Sequence, residues 1–233
     1  MLILYHGANS VCSIKVRLVL HEKQLDWQGR HIDLPKGEQF SEAFLAVNPR
    51  AIVPVLDHDG RLIHESSVIC EYLDGLSAHN PLMPDDPVAR ARTRTWGVYT
   101  LEYHDSVNTL TFSSYQRRML LAKPAEELEA RWRSIPDPIK ARKLRDLVAN
   151  GVQSDYVPAA LGKLARMCAE MDAALSGLWE TRYPRTTDWF RRVQLRPSLG
   201  EATAPWLDEA EISRIRSIGT EVFLADDQFV DYL

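Results

Sequence analysis

A chain of 233 residues, 45% of them hydrophobic and 26% charged, can build one large core or two smaller ones, and its composition is that of an ordinary globular protein. The formal net charge of −4 argues against general affinity for nucleic acid or anionic membrane, and no apolar run approaches the roughly 18 residues that would span a bilayer. Three scattered cysteines (Cys12, Cys70, Cys168) do not make a disulfide framework or a zinc site, and the seven histidines show no HExxH-type spacing, so no metal is expected. A cytoplasmic location is expected from this cysteine usage, and a first strand at Leu2 is expected to leave no room for a signal peptide before it.

Leu2 to Tyr5 reads as a short buried strand. Ser10 to Lys23 carries Val11, Ile14 and Leu18 at helical spacing. Gln28 to Leu34 is a second strand candidate leading into the polar loop Pro35-Lys36-Gly37. Ser41 caps a short helix that ends at Val47. Val55 to His58 and Arg61 to Ile63 form a hairpin, because Asp59-Gly60 between them is a preferred type I′ turn pair. Ser66 to Leu76 is a third helix that buries Val68, Ile69, Tyr72 and Leu73. The order βαβαββα predicts an α/β thioredoxin-like domain over residues 1–76.

Residues 77–84 have the serine, asparagine and proline content of a linker. Beyond it the strand signals stop, and residues 85–233 read as an all-α helical bundle. Asp86 before Pro87 is a strong helix start, and that helix is expected to run past Tyr103 towards Tyr115. Further helical stretches start at Pro124 and Pro158, with Pro184, Pro197 and Pro205 as later punctuation. The cluster Arg131, Arg133, Lys140, Arg142, Lys143 and Arg145 is interleaved with Asp137 and Asp146, which reads as a solvated helix face.

The chemistry concentrates between Val47 and Tyr72, VNPRAIVPVLDHDGRLIHESSVICEY. Extended backbone at Val53, before Pro54, can pair with the main chain of a bound peptide. The helix opening at Ser66 offers free N–H groups and a positive dipole end to a carboxylate, with Glu65 beside it for an ammonium group. This segment resembles the glutathione-binding half of glutathione transferases. The resemblance extends over residues 2–110, and it resumes at Thr187 to Val193 and Arg196-Pro197-Ser198. Within the family it is similar to the bacterial branch that contains glutathione-dependent β-aryl etherases. It implies glutathione as co-substrate, a small hydrophobic electrophile as second substrate, a homodimer, and a cis peptide bond before Pro54. Binding roles then fall on Val53 for the cysteinyl backbone, on Glu65 and Ser66 for the γ-glutamyl zwitterion, and on Gln39 for the glycyl carboxylate.

The start of the first helix, Asn9-Ser10-Val11-Cys12-Ser13, is the candidate thiol site. A free thiol is mostly protonated at neutral pH, and a hydroxyl donating to the thiolate at a helix N-terminus favours the ionised form. The resemblance to serine-type transferases puts that hydroxyl at Ser10, whereas the etherase branch puts it at Ser13. Both serines also suit plain helix capping. Cys12 is the local rival, as a nucleophile of lowered pKa in a thiol-disulfide oxidoreductase. Tyr99, Tyr103, Val107 and Thr111 share one face of the long helix, and family analogy points Tyr103 towards the second substrate. One departure stands out: Leu175 to Glu180 passes almost directly into Thr187-Asp188-Trp189, so a helix expected between residues 178 and 187 is missing. That gap keeps a second function open, a non-catalytic binding or assembly module.

Overall fold

The computed structural model describes residues 1–174 and 184–224. The first part of the chain runs β1 (Leu2–His6), α1 (Val11–Glu22), β2 (Trp27–His31), a one-turn 3-10 helix (Glu38–Phe40), α2 (Glu42–Val47), β3 (Val55–His58), β4 (Arg61–His64) and α3 (Ser66–Leu76). The four strands form one sheet in the order β2-β1-β3-β4. β1 lies parallel to β2 and antiparallel to β3, and β3 is antiparallel to β4. This is the thioredoxin-like arrangement that the sequence predicts.

Strand alternation places Leu2 and Leu4 of β1 on the covered face of the sheet, with Leu56 of β3. They meet Val16 and Leu20 of α1 and Ile69 and Leu73 of α3 in one core. Asp59 and Gly60, at φ 52° and 81°, make the tight turn between β3 and β4. The second strand is shorter than the sequence predicts, ending at His31 rather than Leu34. After it Asp33 takes over, its Oδ1 accepting from the Lys36 N–H at 3.0 Å and turning the chain.

Past α3 the linker residues are tied back. Asp74 accepts from the N–H groups of Leu82 and Met83 at 2.9 and 3.0 Å, and from the buried Lys23 ammonium at 2.9 Å. α4 (Pro87–Ser113) then starts with Asp86 Oδ2 accepting from the Ala89 N–H at 2.7 Å, as the Asp-Pro signal predicts. It ends at Ser113, just short of Tyr115. There follow α5 (Tyr115–Leu121), α6 (Ala125–Ser134), α7 (Pro138–Asn150), α8 (Tyr156–Ala174), α9 (Pro184–Gln194), α10 (Pro197–Thr203) and α11 (Glu209–Leu224). No described helix is long and apolar enough to cross a membrane.

The chain divides into two compact units. The first holds Met1–Val98, Ser134–Pro136 and Pro197–Asp208; the second holds Tyr99–Arg133, Asp137–Arg196 and Glu209–Leu233. Within the first unit, α10 returns to pack against α1. Within the second, Tyr115, Trp132, Leu147, Val148 and Val157 are buried. The basic cluster lies on α6 and α7, where Lys143 pairs with Asp105 and Arg145 with Glu129. Arg131 differs from the others: burial pulls its pKa down. The helix expected to be missing falls largely on residues 175–183, which lie outside the described residues.

Candidate functional site

Strand register decides what comes together in the first unit. His6 pairs with His31, Tyr5 with Val55, and Val55 with His64. The ends of β1, β2 and β4 and the start of β3 therefore share one edge of the sheet. From that edge emerge the loop to Ser10, the loop to Gln39, the Val53-Pro54 approach and the Glu65-Ser66 turn. The sequence-predicted site residues, far apart in the chain, all leave the sheet at this edge.

Ser10 is the N-cap of α1, with φ −70° and ψ 116°, and its Oγ accepts from the Ser13 N–H at 3.3 Å. It is half-buried. Ser13 is fully buried, and its Oγ accepts from the Gly7 N–H at 3.2 Å. The two hydroxyls thus have different surroundings, one capping the helix end on a half-buried residue and one stitching the β1–α1 loop from inside. Cys12, between them, is also half-buried.

The Val53–Pro54 bond is cis. The Asn48 side-chain amide donates to Ile52 O at 2.8 Å and holds the approach to it. Val53 itself lies just outside the β1–β3 ladder. Glu65 has φ 67° and ψ 114°, a sparsely populated conformation for a non-glycine residue that costs on the order of 1–3 kcal/mol and tends to mark functional turns. It directs the chain into α3, whose first residue, Ser66, is buried. The first-turn N–H groups of such a helix have no intrahelical acceptor and favour an anion. Gln39 is buried, and its Oε1 has no hydrogen-bond partner among the described residues. An orphaned buried amide oxygen is costly, and it would be satisfied by a donor brought in by a ligand.

Three features escape a reading of the sequence. The Arg50 guanidinium pairs with Glu65 Oε1 at 2.5 Å, so the carboxylate assigned to a ligand ammonium already has a cation beside it. The Lys15 ammonium, on α1, donates to Ser67 Oγ at 2.9 Å and brings positive charge to the start of α3. The spacing of α1 carries a weak signal for this, since Lys15 lies on the turn after Cys12. Arg17 is fully buried behind the β1–α1 loop, and nothing local to the sequence announces it.

In the second unit the Tyr103 hydroxyl donates to Glu170 Oε2 at 2.7 Å. That bond to the carboxylate, with burial second, pushes the phenol pKa up to about 12. A phenol so held is a poor acid and stays neutral at physiological pH.

A thioredoxin-like sheet with the candidate site along one edge, followed by a helical region, is the architecture of a glutathione transferase. Residues 9–76 match the family model of the glutathione S-transferase N-terminal domain. The chain is 33% identical over 174 residues to Protein LigF of Sphingobium sp., an alignment that takes in 73% of this chain and 66% of that protein. The crystal structure of the beta-etherase LigF from Sphingobium sp. strain SYK-6 superposes with a TM-score of 0.70 at 26% identity, covering 99% of this chain and 98% of that one. Glutathione S-transferase 1 of Dianthus caryophyllus is 42% identical over 88 residues, 38% of this chain and 40% of that protein. In fold, the chain is also similar to the theta class glutathione S-transferase of Xanthomonas axonopodis pv. citri, solved with glutathione bound, at a TM-score of 0.61 and 18% identity over 87% of this chain and 96% of that one. The chain belongs to the glutathione S-transferase family. In sequence it spans about two-fifths to two-thirds of the length of these relatives.

Proposed function

We propose that the protein is a glutathione transferase of serine type, which binds glutathione along the sheet edge and directs its thiolate at a small electrophile. The orphaned Gln39 Oε1 is the observation that carries this reading, since it is a buried acceptor with no donor among the described residues, at the edge where Ser10, Val53 and Ser66 also emerge. A peptide N–H of the ligand would answer it, while the glycyl carboxylate, itself an acceptor, would meet the Gln39 amide N–H groups. Ser10 would donate its hydroxyl proton in a hydrogen bond to the thiolate. The α1 N-terminus adds its dipole, worth about 0.3–1 kcal/mol at exposed sites and more when partly buried. Val53 would pair with the cysteinyl backbone. The Ser66 hydroxyl and the start of α3 would take the γ-glutamyl carboxylate, with Lys15 close by. Glu65 would accept from the ligand's ammonium while keeping its bond to Arg50.

The reaction is attack of the thiolate on an electrophilic carbon, with the protein contributing thiolate stabilisation and positioning. Among electrophiles, the likeness to LigF favours a β-aryl ether, whose cleavage forms a carbon–sulfur bond and releases a phenolate. Calorimetric titration with glutathione, wild type beside Ser66→Ala, tests the binding half. Loss of binding in the variant is expected, with the bound thiol's pKa well below its free value by ultraviolet absorbance. A folded wild type that does not bind glutathione would sink the proposal and leave a scaffold of another function. A parallel assay of a chloronitroarene and a β-aryl ether separates general conjugation from ether cleavage. Disulfide reduction abolished by Cys12→Ser would instead mark an oxidoreductase.

A further inference from the structure

Arg17 has no counter-ion among the described residues. It lies on α1, is fully buried, and no carboxylate among the described residues pairs with it. Its Nε donates to Ala202 O of α10 at 2.6 Å. Its Nη1 donates to Gly7 O at 3.1 Å and its Nη2 to Ala8 O at 2.9 Å. The ring of Trp206 lies 5.9 Å from the guanidinium carbon, within cation–π range. A helical side chain leans back towards the helix N-terminus, which is how a residue two turns along α1 reaches the loop that leads into it.

His6 completes the arrangement. Its Nδ1 is 3.1 Å from Arg17 Nη1, and a guanidinium offers only donors, so Nδ1 accepts and the imidazole is neutral with its proton on Nε2. Burial first, then the charges of Arg17 and His31, lower its pKa to about 3. Nε2 has no hydrogen-bond partner among the described residues, and the Trp206 ring stands edge to face with the imidazole at 4.3 Å. Gly29 leaves room for this stack, since a Cβ there would come within 2.9 Å of His6 Nε2 and 3.0 Å of Trp206.

A fork that grips two successive carbonyls does more than fill space. Because each peptide is planar and trans, pulling the Gly7 and Ala8 carbonyls inward turns the N–H groups of Ala8 and Asn9 away from the guanidinium. The orientation of the turn that delivers Ser10 is thereby set from behind. The same fork brings a full positive charge, balanced only by carbonyl dipoles, to the back of that turn.

We propose that Arg17 is a positioning residue for thiol activation, and that the segment Pro197–Asp208 serves the thiol site through it. The guanidinium orients the Gly7–Ser10 turn, and its uncompensated charge adds to the field at the start of α1. This inference rests on the glutathione transferase reading. It makes a late stretch of the chain, which the sequence assigns to the helical region, part of the apparatus around the co-substrate thiol.

The test is a pH titration of bound-glutathione thiolate absorbance, with steady-state kinetics, on wild type, Arg17→Lys, Arg17→Met and Trp206→Leu. Arg17→Met should raise the bound thiol's pKa by about one unit or more, a tenfold fall in the thiolate-to-thiol ratio at any given pH, with kcat falling and KM for glutathione within about threefold. Arg17→Lys keeps the charge but not the fork, so its thiol pKa should fall between the two. Trp206→Leu should shift the pKa in the same direction by less. If Arg17→Met does not fold, Arg17→Lys and Trp206→Leu decide. Variants that lose thermal stability while keeping the wild-type thiol pKa would overturn the role of Arg17 and leave the transferase reading intact. A wild type that shows no bound thiolate would remove both.

Discussion

Ser10 and Ser13 are three residues apart and of the same chemical type, yet their surroundings divide them. Ser13 is fully buried and satisfies the Gly7 N–H, while Ser10 caps α1 and is half-buried. Ser13→Ala should leave a buried donor without an acceptor and cost about 1–3 kcal/mol of stability. Ser10→Ala should cost about 1 kcal/mol as a lost cap and, on the proposed function, raise the pKa of bound glutathione's thiol. Urea denaturation and thiolate titration of both variants make the comparison. If the larger pKa rise belonged to Ser13→Ala, the catalytic hydroxyl would move there, as the etherase-like alternative has it.

At the scale of elements, the end of α1, the end of α3 and the linker after it converge on one ion pair. Lys23 has no solvent exposure, and Asp74 is only 11% exposed. Burial by itself would raise the Asp74 pKa, but the Leu82 N–H, the Lys23 ammonium and the Met83 N–H together hold it below the usual carboxylate range. A folded-state pKa lower than the unfolded one means that this pair's stabilisation is present above the unfolded carboxylate pKa and is lost as pH falls through the folded value. Asp74→Ala should cost about 3–5 kcal/mol near neutrality, because it leaves the buried Lys23 ammonium without its carboxylate, with the Asn80 carbonyl as remaining acceptor. It should also flatten the acid limb of the stability profile. Denaturation curves from neutral pH down to the acid range check this, and an unchanged acid limb would show that Asp74 is not the group that titrates.

For the whole molecule, we propose the homodimer that the family resemblance implies. Val98 and Leu101, three residues apart on α4, are 64% and 53% exposed, and Val68 on α3 is 56% exposed. Sedimentation equilibrium should give twice the protomer mass, and Val98→Glu with Leu101→Glu should shift it to the protomer. A monomeric wild type would end the proposal.

The sequence by itself determined the order of elements over residues 1–76 and named the candidate site residues within it, because those signals are local. Period-two and helical spacing mark the strands and helices, Asp59-Gly60 marks a turn, and Val53-Pro54 and Glu65-Ser66 sit in a recognisable run. Where a local competitor acts, the reading shifts by a few residues, as when the Asp33 side chain turns the chain after His31. Only the tertiary structure decided which of two serines is buried, that Glu65 already faces Arg50, and that Gln39 Oε1 is left without a donor among the described residues. It also brought Pro197–Asp208 back to α1, where Ala202 O meets Arg17 across 185 positions of chain. Such contacts depend on where distant segments come to lie, which the spacing of residues along the chain does not encode.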